Sequence, residues 1–265
     1  MARPRVALVI PTLDEEEAIG GVIAAVSREA VDKIVVVDSS SSDRTAERAR
    51  AAGAHVVSLR ERGYGRACRA GVEAAGDYDI VVFLDGDGSD CPELIPILIA
   101  PLIEGRCDFV IGSRARGKRE AGSMTPHQLF AGWALGTAMR LLYGVGYSDM
   151  CPFRAIRRDT LQHLDMREET YGWNLEMQMR AARAGLRIIE LPVAHRRRAG
   201  GQSKVSGNLR GTLRASLRIL GTFLRIAAER RGSMPTSPPP IKQQPCSRED
   251  RSPIAHSPTC RTPPI

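Results

Sequence analysis

Five short runs of aliphatic and β-branched residues, at 6–10, 34–37, 55–59, 80–84 and 109–111, alternate with helical patterns near 16–28, 44–52, 66–75 and 92–104. No other feature of the chain narrows the fold as far. Continuous apolar runs, unlike alternating ones, belong to strands buried on both faces, and helices between them predict a mostly parallel sheet with helices on both faces. Ligands of such α/β sheets bind outside the carboxyl ends of the strands. Those ends carry Pro11-Thr12-Leu13-Asp14-Glu15-Glu16, then Asp38 followed by four serines, then Asp85-Gly86-Asp87-Gly88-Ser89-Asp90. The chemistry is expected there.

Composition sets the outer bounds. A chain of 265 residues with 43% hydrophobic content can bury a sizeable core. Its net charge of +8 suits phosphate-bearing ligands or an anionic surface. With 5% aromatics a base-stacking surface is disfavoured, so no nucleic-acid partner is expected. The six cysteines (68, 91, 107, 151, 246 and 260) lack the close spacing of a zinc or redox motif, and reduced thiols are the default. The apolar run at 6–10 is too short for a signal sequence, and nothing approaches the roughly 18 apolar residues of a spanning helix. A cytoplasmic protein, soluble or held peripherally at the inner face of a membrane, is expected.

Asp85-Gly86-Asp87 directly follows the apolar run 80–84. Two carboxylates two residues apart can share a hard cation such as Mg2+ or Mn2+, which leaves positions for diphosphate oxygens. Asp and Gly also gather at strand ends because turns favour them, so the motif alone is weak. An EF-hand is excluded, because Asp90 falls where that loop needs Gly and Pro96 where it needs Glu.

The ordered series of Pro11-Thr12-Leu13-Asp14-Glu15-Glu16, Val35-Val36-Val37-Asp38 and Asp85-Gly86-Asp87 resembles family 2 glycosyltransferases of the dolichol-phosphate mannose synthase-like branch, over about residues 4–225. The resemblance implies a GT-A fold and a nucleotide-sugar donor. It places the donor on Pro11, Glu15, Asp38, Asp85 and Asp87, with Mg2+ or Mn2+ on Asp85 and Asp87 and a catalytic part for Asp87. It divides the chain into a glycosyltransferase domain (1–231) and a tail (232–265). Within the domain a nucleotide-sugar half (about 1–114) precedes an acceptor half (about 115–206) and a basic amphipathic helix (about 207–231). The chain departs from the family in having Ser39-Ser40-Ser41 for Asp-Gly-Ser, Gly63-Tyr64-Gly65 for Gly-Lys-Gly, and Cys151 where Gly is usual before Pro-Phe-Arg.

In the second half, helices are expected near 127–142 and 174–184 and a strand near 187–191, with 149–154 following a loop. Gly112-Ser113-Arg114 matches a family segment, and Arg114 is a candidate phosphate ligand. Arg198-Ala199-Gly200-Gly201-Gln202-Ser203-Lys204 resembles the family's R-x-x-G-x-S-K, which implies a clamp of Arg198, Ser203 and Lys204 over phosphate. Asp149 and Glu176 are the candidate catalytic carboxylates. Either could deprotonate a sugar hydroxyl. A lipid phosphate, with a second pKa of about 6, needs no base, and the carboxylates would then orient arginines and donor hydroxyls. Leu209, Leu213, Leu217, Leu220 and Leu224 form one stripe beside Arg210, Arg214 and Arg218. The stripe packs on the domain by default, and lies in an anionic membrane interface on the alternative reading. The tail, rich in Pro, Ser, Thr and charge, is expected to be disordered.

The leading expectation is metal-assisted, inverting transfer of a hexose from a UDP- or GDP-sugar to polyprenyl or dolichyl phosphate. Nucleotidyl transfer is disfavoured, because the first strand ends in Asp14-Glu15-Glu16-Glu17 and not in a Gly- and Lys-rich loop. A non-catalytic relative that binds nucleotide-sugar or membrane is the alternative, motivated by the serine run and Cys151.

Overall fold

The structure, a computed structural model, describes residues 3–200 and 209–229; the expected tail, Ser203 and Lys204 lie outside the described residues. Seven strands form one sheet: β1 (Val6–Thr12), β2 (Lys33–Asp38), β3 (His55–Ser58), β4 (Ile80–Phe83), β5 (Phe109–Ser113), β6 (Arg154–Arg157) and β7 (Ile188–Pro192). Their order is β3-β2-β1-β4-β6-β5-β7. All neighbours pair in parallel except at β6, which runs antiparallel to both β4 and β5. The expected mostly parallel sheet is present.

Every residue of β1 is buried, and the reason lies in the two layers of helices. The helices of the first half are α1 (Ile19–Ala24), α2 (Thr45–Ala51), α3 (Tyr64–Ala75) and α4 (Ile95–Ile103). Adjacent strand residues point to opposite faces. Val9 faces Gly71 of α3, whereas Ile10 lies on the side of Ile19 at the start of α1, close to Gly86. A continuous run of Val and Ile is therefore required rather than tolerated. The second half supplies α5 (Pro126–Tyr143), α6 (Arg158–His163), α7 (Trp173–Arg183) and α8 (Leu209–Ala228).

Two elements were not expected. No element was assigned to β6, Arg-Ala-Ile-Arg, or to the short α6 after it. β6 exists because β4 and β5 pair with its two edges, which outweighs its poor local pattern. The Arg154 side chain is fully buried there and donates to the carbonyls of Cys151 and Asn174.

The leucine stripe of α8 also corrects the packing expectation. Leu217, Leu220 and Leu224 are 61%, 52% and 58% exposed, while Thr222 and Ile226 on the opposite side are buried. Charge explains the orientation. Arg225 reaches Glu176 (3.4 Å) and Glu168 (3.8 Å), and Glu229 takes Arg180 (3.3 Å) and Arg183 (3.1 Å), tying the inner side of α8 to α7 and the turn before it. Among the described residues no helix is long and apolar enough to cross a membrane.

The fit of α3 on the sheet gives a direct test. A Cβ at Gly71 would lie 2.3 Å from Val9 Cγ1 and 3.1 Å from Val37 Cγ2, and Val side chains are stiff. Gly71→Ala should destabilise the protein by about 1–3 kcal/mol in urea denaturation, although Ala is the better helix former by about 1 kcal/mol. A raised unfolding midpoint would contradict this packing.

Candidate functional site

Because β2, β1 and β4 are parallel neighbours, the loops after them emerge side by side. Their backbones are stitched together by short polar side chains. The N–H groups of Asp14, Glu15 and Glu16 donate to Ser41 Oγ (2.9 Å), Thr45 Oγ1 (2.8 Å) and Asp43 Oδ2 (3.2 Å). Asp14 Oδ1 accepts from the Ser42 N–H at 2.7 Å. The serine run therefore has a structural use. Ser40, at the family's glycine position, adopts the left-handed φ of 60° and donates to the Leu59 carbonyl at 2.7 Å. Pro11 is buried in β1. Asp38 is buried too; its Oδ2 accepts the Ser41 N–H at 3.3 Å, while Oδ1 has no hydrogen-bond partner among the described residues.

The loop after β4 holds the expected carboxylate pair. Asp85 Oδ1 accepts the Tyr64 hydroxyl at 3.1 Å. Asp87 Oδ1 accepts the Ser89 N–H (2.8 Å) and hydroxyl (2.6 Å). Asp90 closes the turn, its Oδ2 accepting the Asp85 N–H at 3.2 Å. Its Oδ1 lies 3.7 Å from His195 Nδ1, and neither atom has a hydrogen-bond partner among the described residues. Gly86 is required by proximity, since a Cβ there would meet Thr12 Cγ2 at 2.6 Å. Burial, reinforced by Asp87 and then Asp90, pushes the Asp85 carboxyl well above the usual carboxylate range. A positive ligand would relieve that repulsion.

A strap formed by residues 195–200 lies across this loop. The Arg196 N–H donates to the Ser89 carbonyl (2.8 Å) and the Ala199 N–H to the Asp87 carbonyl (3.0 Å). Arg198 bridges two loops, pairing with Asp87 Oδ2 at 2.8 Å and donating to Glu15 Oε1. Beside the strap, Asp14, Glu15, Glu16, Glu17, Asp43 and Gly200 line an open cavity of about 200 Å3.

Arg114 and Asp149 form a second, buried unit. The guanidinium meets the carboxylate bidentately, Nε to Oδ2 and Nη2 to Oδ1, both at 2.8 Å, and the Arg114 N–H adds a 2.9 Å bond. Burial opposes ionisation of Asp149, but these bonds overcome it and hold its carboxyl below the usual range. The Arg114 charge also favours ionised Asp85. Cys151 is fully buried, and burial raises its thiol pKa.

Glu176 is drawn elsewhere. It is wholly buried, with Oε2 accepting the N–H groups of Arg167 (2.9 Å) and Glu168 (2.6 Å), and Oε1 taking Arg180 (2.9 Å) and Arg225 (3.4 Å). Of the two uses expected for Glu176, base or orienting group, these four contacts favour the second. Sequence reasoning also passed over Tyr64. It stood out only as a missing lysine, yet its hydroxyl contacts Asp85 directly.

The donor set suits a divalent cation that completes its shell with ligand oxygens. Asp85 and Asp87 would hold it. Among the described residues no three His, Cys, Asp or Glu groups form a ready cage, as befits an ion bound through one or two carboxylates plus substrate phosphates.

The Arg114–Asp149 pair predicts a pH signature. A lowered folded pKa gives stability that is complete above the unfolded value, about 3.9, and is lost as pH falls through the folded value. Asp149→Asn should lose about 2–4 kcal/mol at pH 7, because Arg114 is left without its partner charge. In urea titrations the gap to the wild type should stay constant above pH about 5 and narrow below pH about 3.9. A gap independent of pH would contradict the assignment.

With this geometry in view, comparison with known proteins is informative. The model of the family described as "Glycosyl transferase family 2" matches residues 7–165. An uncharacterised glycosyltransferase of Mycobacterium tuberculosis is 40% identical over 222 residues, covering 82% of this chain and 97% of the relative. An undecaprenyl-phosphate mannosyltransferase of Micrococcus luteus is 34% identical over 222 residues, covering 78% of this chain and 90% of its own. Among solved structures, the Mycobacterium tuberculosis glucosyl-3-phosphoglycerate synthase, in complex with Mn2+, UDP and glucosyl-3-phosphoglycerate, superposes with a TM-score of 0.69 at 27% identity, covering 86% of this chain and 81% of that one. The sheet, the strand-end carboxylates and these likenesses agree: the chain has the GT-A fold and belongs to glycosyl transferase family 2.

Proposed function

We propose that this enzyme moves a hexosyl residue from a UDP- or GDP-sugar onto a polyprenyl phosphate, with inversion, at the cytoplasmic surface of a membrane. The observation that carries the choice of acceptor is the state of the two carboxylates. A hydroxyl acceptor requires a base with a free lone pair and a pKa near the working pH. Asp149 is clamped by Arg114 and held more acidic than usual, and Glu176 is saturated. A phosphomonoester, with its second pKa about 6, arrives already anionic and needs only cationic positioning. The Micrococcus luteus relative, named for undecaprenyl phosphate, supports this reading.

In this proposal Pro11, Glu15 and Asp38 hold the nucleoside side, the unpartnered Oδ1 of Asp38 accepting from base or ribose. Asp85 and Asp87 bind Mg2+ or Mn2+, which when present neutralises charge on the departing nucleoside diphosphate. The solved neighbour bound to Mn2+ and UDP supports that assignment. Arg198, with Ser203 and Lys204, contacts donor or acceptor phosphate. Asp149 orients Arg114 toward the acceptor phosphate, and Glu176 fixes α7 against α8. The outward Leu217, Leu220 and Leu224, with the exposed Arg218 beside them, form the face that meets an anionic lipid surface.

The test is nucleoside diphosphate release from a panel of UDP- and GDP-hexoses with Mn2+ or Mg2+ and dispersed polyprenyl phosphate. Asp85→Asn and Asp87→Asn should each lower kcat at least about a hundredfold in a folded protein. Full turnover by either variant would remove that carboxylate from the reaction. Binding without release across the panel would favour a non-catalytic relative. Combined Leu217→Ser, Leu220→Ser and Leu224→Ser should abolish co-sedimentation with anionic liposomes, and retained co-sedimentation would place the contact elsewhere.

A further inference from the structure

The geometry points to Arg198 as an internal competitor for the cation at Asp87, one that the donor diphosphate must draw away before the metal can settle. The inference rests on the proposed role of Asp85 and Asp87 as metal ligands, and adds an order of events to it.

The argument is one of lone pairs. Asp87 Oδ1 already accepts twice from Ser89, leaving Oδ2 as the oxygen open to a cation, and Arg198 Nη1 lies against it at 2.8 Å. The guanidinium takes one of the two lone pairs of Oδ2, and its positive charge opposes a divalent ion on the other. The pairing is built in, since the strap is pinned by the Ala199 N–H on the Asp87 carbonyl and the Arg196 N–H on the Ser89 carbonyl. The second arm of the guanidinium goes to Glu15 on the loop after β1. Arg198 thus spans the gap between the first loop and the acidic loop, where a diphosphate would enter.

Two consequences follow. Metal alone meets an occupied ligand and binds weakly. A nucleoside diphosphate offers the guanidinium a planar, bidentate phosphate contact in exchange for Asp87, and offers the ion additional oxygens. Metal and nucleotide therefore promote each other's binding through Arg198, and such coupling is reciprocal.

The experiment is Mn2+ binding followed by the electron paramagnetic resonance signal of the free ion, for the full-length protein alone and with saturating UDP or GDP. Arg198→Gln should bind Mn2+ alone roughly fivefold or more tighter than the wild type, with a smaller gain on adding nucleotide. Arg198→Lys, which keeps the charge but not the fork, should fall between them. Mn2+ affinity unchanged or weakened in Arg198→Gln would overturn the inference. Asp87→Asn separates the two levels. If it lowers Mn2+ affinity while Arg198→Gln does not raise it, competition alone fails. If Asp87→Asn leaves Mn2+ affinity unchanged, the metal assignment fails and the competition with it.

Discussion

Mutual repulsion among carboxylates is what the second half of the molecule has to answer. Three parallel neighbours, β2, β1 and β4, deliver Asp38, Glu15, Asp85, Asp87 and Asp90 to one end of one sheet, several of them buried. Burial first, and then Asp87 and Asp90, push the Asp85 carboxyl above the usual carboxylate range. The rest of the chain brings compensation. Arg198 arrives on a strap from beyond β7 and Arg114 from the end of β5, so the strap and the β5 loop are held where positive charge is needed. Arg114 is shared with Asp149, which fixes its plane and leaves it one more carboxylate to neutralise.

Seen from the sequence, the first half of the chain was readable because its signals are local. Unbroken apolar runs such as 34–37 state that both faces are buried, and Asp85 to Asp87 directly after 80–84 marks a strand end carrying paired carboxylates. The second half depends on contacts distant in sequence. β6 is a strand only because two other strands flank it, and no local pattern in Arg154-Ala155-Ile156-Arg157 announces that. Around Glu176 only Arg180 carries a signal at helical spacing; the N–H groups of Arg167 and Glu168 come from a turn, and Arg225 lies 49 residues later. The same ion pairs accompany an α8 whose Leu217, Leu220 and Leu224 face outward, the reverse of the default packing of an amphipathic helix. Tyr64 shows a third kind of miss: a departure from the family pattern read as a loss, where the replacement makes its own bond to Asp85.

These features converge on the proposed reaction. On the proposed reading, a site that pairs Asp149 with Arg114 and surrounds Glu176 with four donors is suited to an acceptor that brings its own negative charge. In the proposed reaction the exposed Leu217, Leu220 and Leu224 would meet the lipid that carries such an acceptor.

The most direct measurement compares polyprenyl phosphate with the free polyprenol of the same chain length as acceptors, at pH 7.5, with one donor and Mn2+. The account predicts transfer to the phosphate alone. Transfer to the alcohol at a comparable rate would contradict it, because the enzyme would then have to supply the base that Asp149 and Glu176 are not free to provide.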